Sequence, residues 1–132
     1  MELDIKKILE DIEKDVKIDE LNVREVQFKL PAIKHKYTGI LIRAKIDLNN
    51  KRKVLEDHRK QVIDQIKEKS HVKLTPNTLH DTANEVGSVK KIKEEIEQLE
   101  LLITLLEKTE KTLSSMTYDI KNIIEIQKLE TT

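Results

Sequence analysis

Cysteine and tryptophan are absent from the chain, and its aromatic residues are only Phe28, Tyr37 and Tyr118. The first absence excludes disulfides and thiol chemistry and is compatible with a reducing cytoplasm. The scarcity of aromatics leaves little with which one chain of 132 residues could build a broad core. There are two glycines (Gly39, Gly87) and two prolines (Pro31, Pro76). Two glycines cannot form a phosphate-cradling loop or a dinucleotide fingerprint. No apolar run approaches the ~20 residues of a membrane span. The start, "MELDIKKILEDIEKDV", is acidic and amphipathic, unlike a secretory signal. The four histidines, His35, His58, His71 and His80, make no H-x-x-x-H pair, so neither a metal site nor a cofactor is expected. Adjacent acids such as Glu94 and Glu95 read as a solvated helix face, because a carboxylate dyad needs a pocket to part its pKa values. Nothing points to an enzyme.

What is present is charge, at 38 % of residues, together with Leu and Ile at helical spacing. Lys, Glu, Leu and Ile with few breakers specify long helices. The net charge is zero but unevenly distributed. Residues 1–26 hold 5 basic and 9 acidic groups, residues 27–73 hold 13 and 5, and residues 74–132 hold 7 and 11. A basic centre between acidic ends points to a bound polyanion, or to pairing between acidic and basic parts.

Ile5, Leu9, Ile12 and Val16 predict a first helix over about Leu3–Lys17, followed by turn and cap chemistry at Asp19 and Asn22. Pro31 predicts a break near Leu30, because the residue before a proline avoids helical angles, and a second helix from there to about Lys69. At ~1.5 Å per residue that helix would be about 50 Å long. Asn49 and Asn50 are its weak spot. "SHVKLTPNT", residues 70–78, is the clearest break, with Thr75 and Pro76 as N-cap and first-turn residue of a short helix. Gly87 and Ser88 start the last long helix, for which "LSSMT" at 113–117 offers a bend. There Ile92, Ile96, Leu99, Ile103, Leu106 and Leu113 follow heptad steps, interrupted by Glu110. In "YDIKNIIEIQKLE", residues 118–130, Ile120, Ile123 and Ile124 share one face, while Ile126 and Leu129 point away from it. A helix with one partner needs only one apolar stripe.

On the second helix Leu41, Leu48, Leu55 and Val62 repeat every seven residues as a partner-facing stripe. Lys45, Arg52 and Arg59 repeat with the same period, as do Lys53, Lys60 and Lys67, and Lys51 and Arg43 add to the helix's charge from other angles. Such rows can pair with acidic helices in a structural or adaptor coiled coil without nucleic acid. With arginines interleaved they can also follow a phosphate backbone. Tyr37 is the only aromatic on that helix, so contact would be electrostatic and indifferent to base sequence.

Three blocks, "EKDVKID" near the start, "LPAIKHKY" at 30–37 and "YDIKNIIEIQKLE" at the end, resemble the UvsY recombination mediators of T-even-type phages. In the closing block Ser115, Tyr118, Ile120, Lys121, Asn122, Ile123, Ile124, Lys128 and Glu130 fit the family pattern, with Leu129 where an aromatic is usual. The resemblance implies an all-α protomer of long helices, in a helical hairpin or coiled coil, assembled into a homo-oligomeric, heptamer-like ring. It implies binding of single-stranded DNA and loading of a phage RecA-type recombinase onto strands covered by single-strand-binding protein, in the host cytoplasm. Lys45, Lys51, Arg52, Lys53, His58, Arg59, Lys60 and Lys67 are the expected DNA-contacting residues, within a segment 1–74. Leu99, Ile103, Leu106, Leu113, Ile120, Ile123, Ile124 and Ile126 are the expected oligomerisation residues, within a segment 75–132. The chain departs from the family where a Tyr-Tyr-Ser-Gly-like turn is typical: it reads "HRKQVIDQIKEKSHVK".

Overall fold

A computed structural model describes residues 3–131. These residues form four helices: α1 (Ile5–Asp15), α2 (Val23–Lys69), α3 (Pro76–Asn84) and α4 (Gly87–Thr131). The fold is all-α, as the composition requires.

Three helix starts carry capping side chains, those before α2 and α3 as the sequence leads one to expect. The Asp4 side chain accepts the Lys7 amide at 3.2 Å and caps α1. Before α2, the Asp19 carboxylate accepts the amides of Leu21 and Asn22, and Asn22 Oδ1 accepts the Asp19 amide at 2.8 Å. The reciprocal pair satisfies donors that the helix itself leaves free. Thr75 caps α3 by accepting the Thr78 amide at 3.2 Å, and Pro76 occupies the first turn, where its missing N–H is of no consequence.

The expected break near Leu30 does not occur. α2 runs through Pro31 for 47 residues, and Asn49 and Asn50 do not interrupt it either. A proline inside a helix forfeits one hydrogen bond and crowds the carbonyl four residues back, at about 3 kcal/mol or more. Here Val23, Val26 and Leu30 precede it and Tyr37, Leu41 and Ala44 follow, all buried. Burying one such large apolar side chain contributes ~1.5–3 kcal/mol, so a straight-through helix that keeps both groups in place outweighs the local penalty. Pro31 itself faces solvent. Likewise α4 passes through residues 113–117 as continuous helix, with Leu113 and Met116 buried.

The chain divides into two compact units, one of residues up to Ala44 plus Leu102 onward, the other of Lys45–Leu101. In the first, α1, the start of α2 and the end of α4 enclose a core that includes Ile8, Leu30, Tyr37, Leu102, Leu106 and Leu113. Tyr37 is fully buried, and its hydroxyl donates to Asp15 Oδ2 at 2.7 Å. Lys36 bonds the same carboxylate at 3.0 Å, and its ammonium lies 5.0 Å from the Tyr37 ring centre. Burial first, then the Asp15 carboxylate, pushes the Tyr37 phenol far above its ordinary range. Lys34 donates to Thr117 at 3.0 Å and Thr38 to Glu110 at 2.9 Å, joining α2 to α4. Gln127 reaches the Glu20 carbonyl at 3.0 Å, fixing the last turns of α4 against the α1–α2 connection.

In the second unit, Val62, Ala83 and Val89 form a buried cluster to which Leu55, Ile63, Ile66 and Val86 pack. Leu55 and Val62 of the seven-residue stripe therefore meet α3 and the start of α4 of their own chain. A heptad stripe specifies a partner helix, and here the hairpin supplies it.

Candidate nucleic-acid interface

The eight expected DNA-contacting residues all lie on α2 within the second unit, but the fold sorts them into three groups. Lys45, Lys53, Lys60 and Lys67 are exposed and make no ion pair among the described residues. At ~100° per residue they fall in an arc of roughly 80°, and at ~1.5 Å per residue they span about 33 Å of helix. Exposed Glu56 shares that arc and partly offsets it.

Lys51 and Arg52 form the second group. Lys51 pairs with Glu95, and Arg52 Nη2 lies 3.3 Å from Glu100 Oε1. Both pairs bind α2 to α4, as acidic-to-basic helix pairing requires. Their side chains are 34–56 % exposed, so the pairs are weak and reversible.

His58 and Arg59 form the third. His58 Nε2 lies 2.7 Å from Ser88 Oγ at the start of α4. Arg59 does not stand out on an open basic row. It is half-buried, with its Nε enclosed and without a hydrogen-bond partner. The physical reason is its place one turn from both Leu55 and Val62, on the side that faces α3 and α4.

The expected oligomerisation residues divide as well. Ile103, Leu106, Leu113 and Ile120 fill the chain's own core, at 8 % exposure or less, and Leu99 is half-buried. Ile120 is buried within the single chain, where it and Leu30 and Pro31 of α2 line one cleft. Ile123 and Ile124 are half-buried, and Ile126 is 51 % exposed. Leu129, at 76 %, and Tyr118, at 72 %, are more exposed still. At ~100° per residue Tyr118, Ile126 and Leu129 share one side of α4, roughly opposite Ile120. Leu21 and Phe28, nearly fully exposed in the same unit, escaped the sequence reading. Neither belongs to a periodic stripe, so only exposure identifies them.

Among the described residues there is no group of His, Cys, Asp or Glu that could hold a metal ion. No described helix is long and apolar enough to cross a membrane.

A search of curated protein sequences gives no match. The fold matches the crystal structure of the bacteriophage T4 recombination mediator protein UvsY, with a TM-score of 0.83 over 97 % of this chain and 99 % of that one, at 14 % identity. A family model described as "Recombination, repair and ssDNA binding protein UvsY" matches residues 11–132. Twelve-thirteenths of the sequence thus fits one family, and the chain belongs to the UvsY family of recombination, repair and single-stranded-DNA-binding proteins.

Proposed function

We propose that the chain is a non-enzymatic recombination mediator that holds single-stranded DNA along the exposed arc of α2. The reading rests on one observation above all: Lys45, Lys53, Lys60 and Lys67 are exposed on one side of a helix without intrachain carboxylate partners among the described residues. A helix whose basic rows served only to pair with α4 would use these lysines as it uses Lys51 and Arg52. The structural-adaptor reading therefore accounts for Lys51 and Arg52 and leaves these four lysines unexplained.

In this reading residues 1–74 carry the DNA contacts and residues 75–132 the assembly. The exposed Tyr118, Ile126 and Leu129 meet a neighbouring copy, and a closed ring of such copies multiplies weak phosphate contacts through avidity. Holding the strand in an ordered path favours nucleation of a RecA-type recombinase over single-strand-binding protein. No bond is made or broken by this chain.

A salt titration tests the reading. Log affinity for single-stranded DNA should fall with log salt by ~0.7 per phosphate neutralised. Lys53→Ala with Lys60→Ala should make that slope shallower by about 1.4 and weaken binding to every base sequence alike. A slope that does not change in an intact assembly would place the DNA elsewhere.

A further inference from the structure

The connection between α2 and α3, residues 70–75, separates two open clefts in the second unit. One, of about 500 Å³, has His58, Ile66, Lys69, Leu74 and Val86 in its wall. The other, of about 520 Å³, has Lys67, His71, Val72, Lys73 and Leu79. Ser70 and Leu74 line both. No carboxylate is among the lining residues of either cleft. The clefts of the first unit differ in this respect, since Glu125 lines one and Glu110 the other.

The connection is built rather than slack. Ser70 Oγ donates to the Val72 carbonyl at 2.7 Å and accepts the Val72 amide at 3.3 Å. That turn holds Val72 at 70 % exposure between His71 and Lys73. A branched apolar side chain there contributes almost nothing to the core. Lys67, Lys69 and Lys73 are exposed and make no ion pair among the described residues. Glu68 lies between two of these lysines in sequence but lines neither cleft.

Cations at the rim, apolar side chains in the wall and no carboxylate suit a ligand that is anionic at one end and has a flat, weakly polar face at the other. A nucleotide of a single strand is such a ligand. A duplex is not, because its bases are stacked and paired away from the protein. We propose that the two clefts receive unstacked bases of single-stranded DNA, while Lys67, Lys69 and Lys73 hold the adjoining phosphates. This deepens the reading that the chain binds single strands and rests on it. The base faces lie against Ile66, Leu74 and Val86 on one side of the connection, and against Val72, Leu74 and Leu79 on the other. No aromatic residue lines either cleft, so the bases are held by apolar contact rather than aromatic stacking, and all four bases are accepted.

The test compares a thymidine homopolymer with an abasic strand of equal length and charge, each titrated with the full chain by fluorescence anisotropy. The native chain should bind the base-bearing strand about tenfold more tightly, less than two bases on aromatic platforms would give, because neither cleft has an aromatic residue. Leu74→Ser should remove most of that advantage, because Leu74 lines both clefts, and Val72→Ser the part owed to one cleft, each leaving affinity for the abasic strand unchanged. Val72 is 70 % exposed, so its replacement leaves the fold intact and stays informative even where the Leu74 variant misfolds. Lys69→Ala with Lys73→Ala should weaken both strands alike and lower the salt slope by about 1.4. Equal affinity of the native chain for the two strands overturns the base clefts while DNA binding stands. A base preference unmoved by Val72→Ser overturns their placement. Failure to bind either strand overturns this inference together with the reading it rests on.

Discussion

The two compact units use similar residues for opposite purposes. In the first, cations and polar groups are fasteners: Lys36 grips Asp15, Lys34 grips Thr117, and Tyr37 ties α2 to α1. In the second, Lys51 and Arg52 are fastened, but Lys45, Lys53, Lys60 and Lys67 are left facing water. The cores differ in the same sense. The first unit includes the fully buried Tyr37, Leu106 and Leu113, whereas the central cluster of the second is Val62, Ala83 and Val89. Large apolar side chains contribute more per residue than small ones, so the first unit contributes more of the stability. The second unit carries less of the core, and Lys45, Lys53, Lys60 and Lys67 stand on one side of its α2 without an ion pair among the described residues, an arrangement suited to a polyanion.

Core truncation should expose this difference most strongly. Leu106→Ala, at a site with no exposed surface, should destabilise the chain by about 2–5 kcal/mol. Val62→Ala in the smaller core should cost roughly 1–2 kcal/mol, at ~0.8 kcal/mol per buried methyl-sized group. Urea denaturation followed by circular dichroism measures both. Equal losses would erase the proposed imbalance.

Assembly tests the outer side of α4. Ile126→Asp with Leu129→Asp should yield smaller species in analytical ultracentrifugation with helix content retained, because both side chains are exposed in the single chain. Ile120→Asp should instead unfold the first unit, since it places a charge in the chain's own core. If the double variant sediments as the native chain does, assembly uses another surface.

Next in size is the Tyr37 fastening. Tyr37→Phe removes the hydroxyl from Asp15, whose Oδ2 keeps Lys36, and should cost about 1.5–3 kcal/mol, the range for a hydrogen bond to a charged group. The phenol's pKa is raised in the folded chain, so folding favours the protonated form. This contribution is fully present below the unfolded value of 10.0 and is lost as pH rises above it. Stability measured from pH 9 upward should therefore fall more steeply in the native chain than in Tyr37→Phe. Parallel curves would contradict a buried, hydrogen-bonded phenol.

The smallest effect is expected at the fastened cations. Lys51→Ala with Arg52→Ala should change stability by only about 0–1 kcal/mol per pair, because both pairs are partly exposed. It should also lower the salt slope for DNA less than Lys53→Ala with Lys60→Ala does. A larger loss of DNA affinity at Lys51 and Arg52 would mean that bound DNA displaces Glu95 and Glu100, and would redraw the interface.

Local pattern alone determined that the chain is helical, where α3 starts and where α4 starts. Heptad spacing, the Thr75–Pro76 pair and the lack of breakers act within a few residues, so no distant contact is needed to read them. The basic centre was legible for the same reason, since charge is counted rather than placed. Tertiary structure decided the rest. Pro31 remains inside α2 because the residues on both sides of it are buried by elements far away in sequence. Arg59 turned inward because its side of the helix faces α3 and α4, and Lys51 and Arg52 found carboxylates more than forty residues on. Ile120 and Leu106 were claimed by their own chain, because a heptad stripe specifies that a partner exists and not which helix supplies it. Periodicity assigns a residue to a face; only the packed fold determines what that face meets.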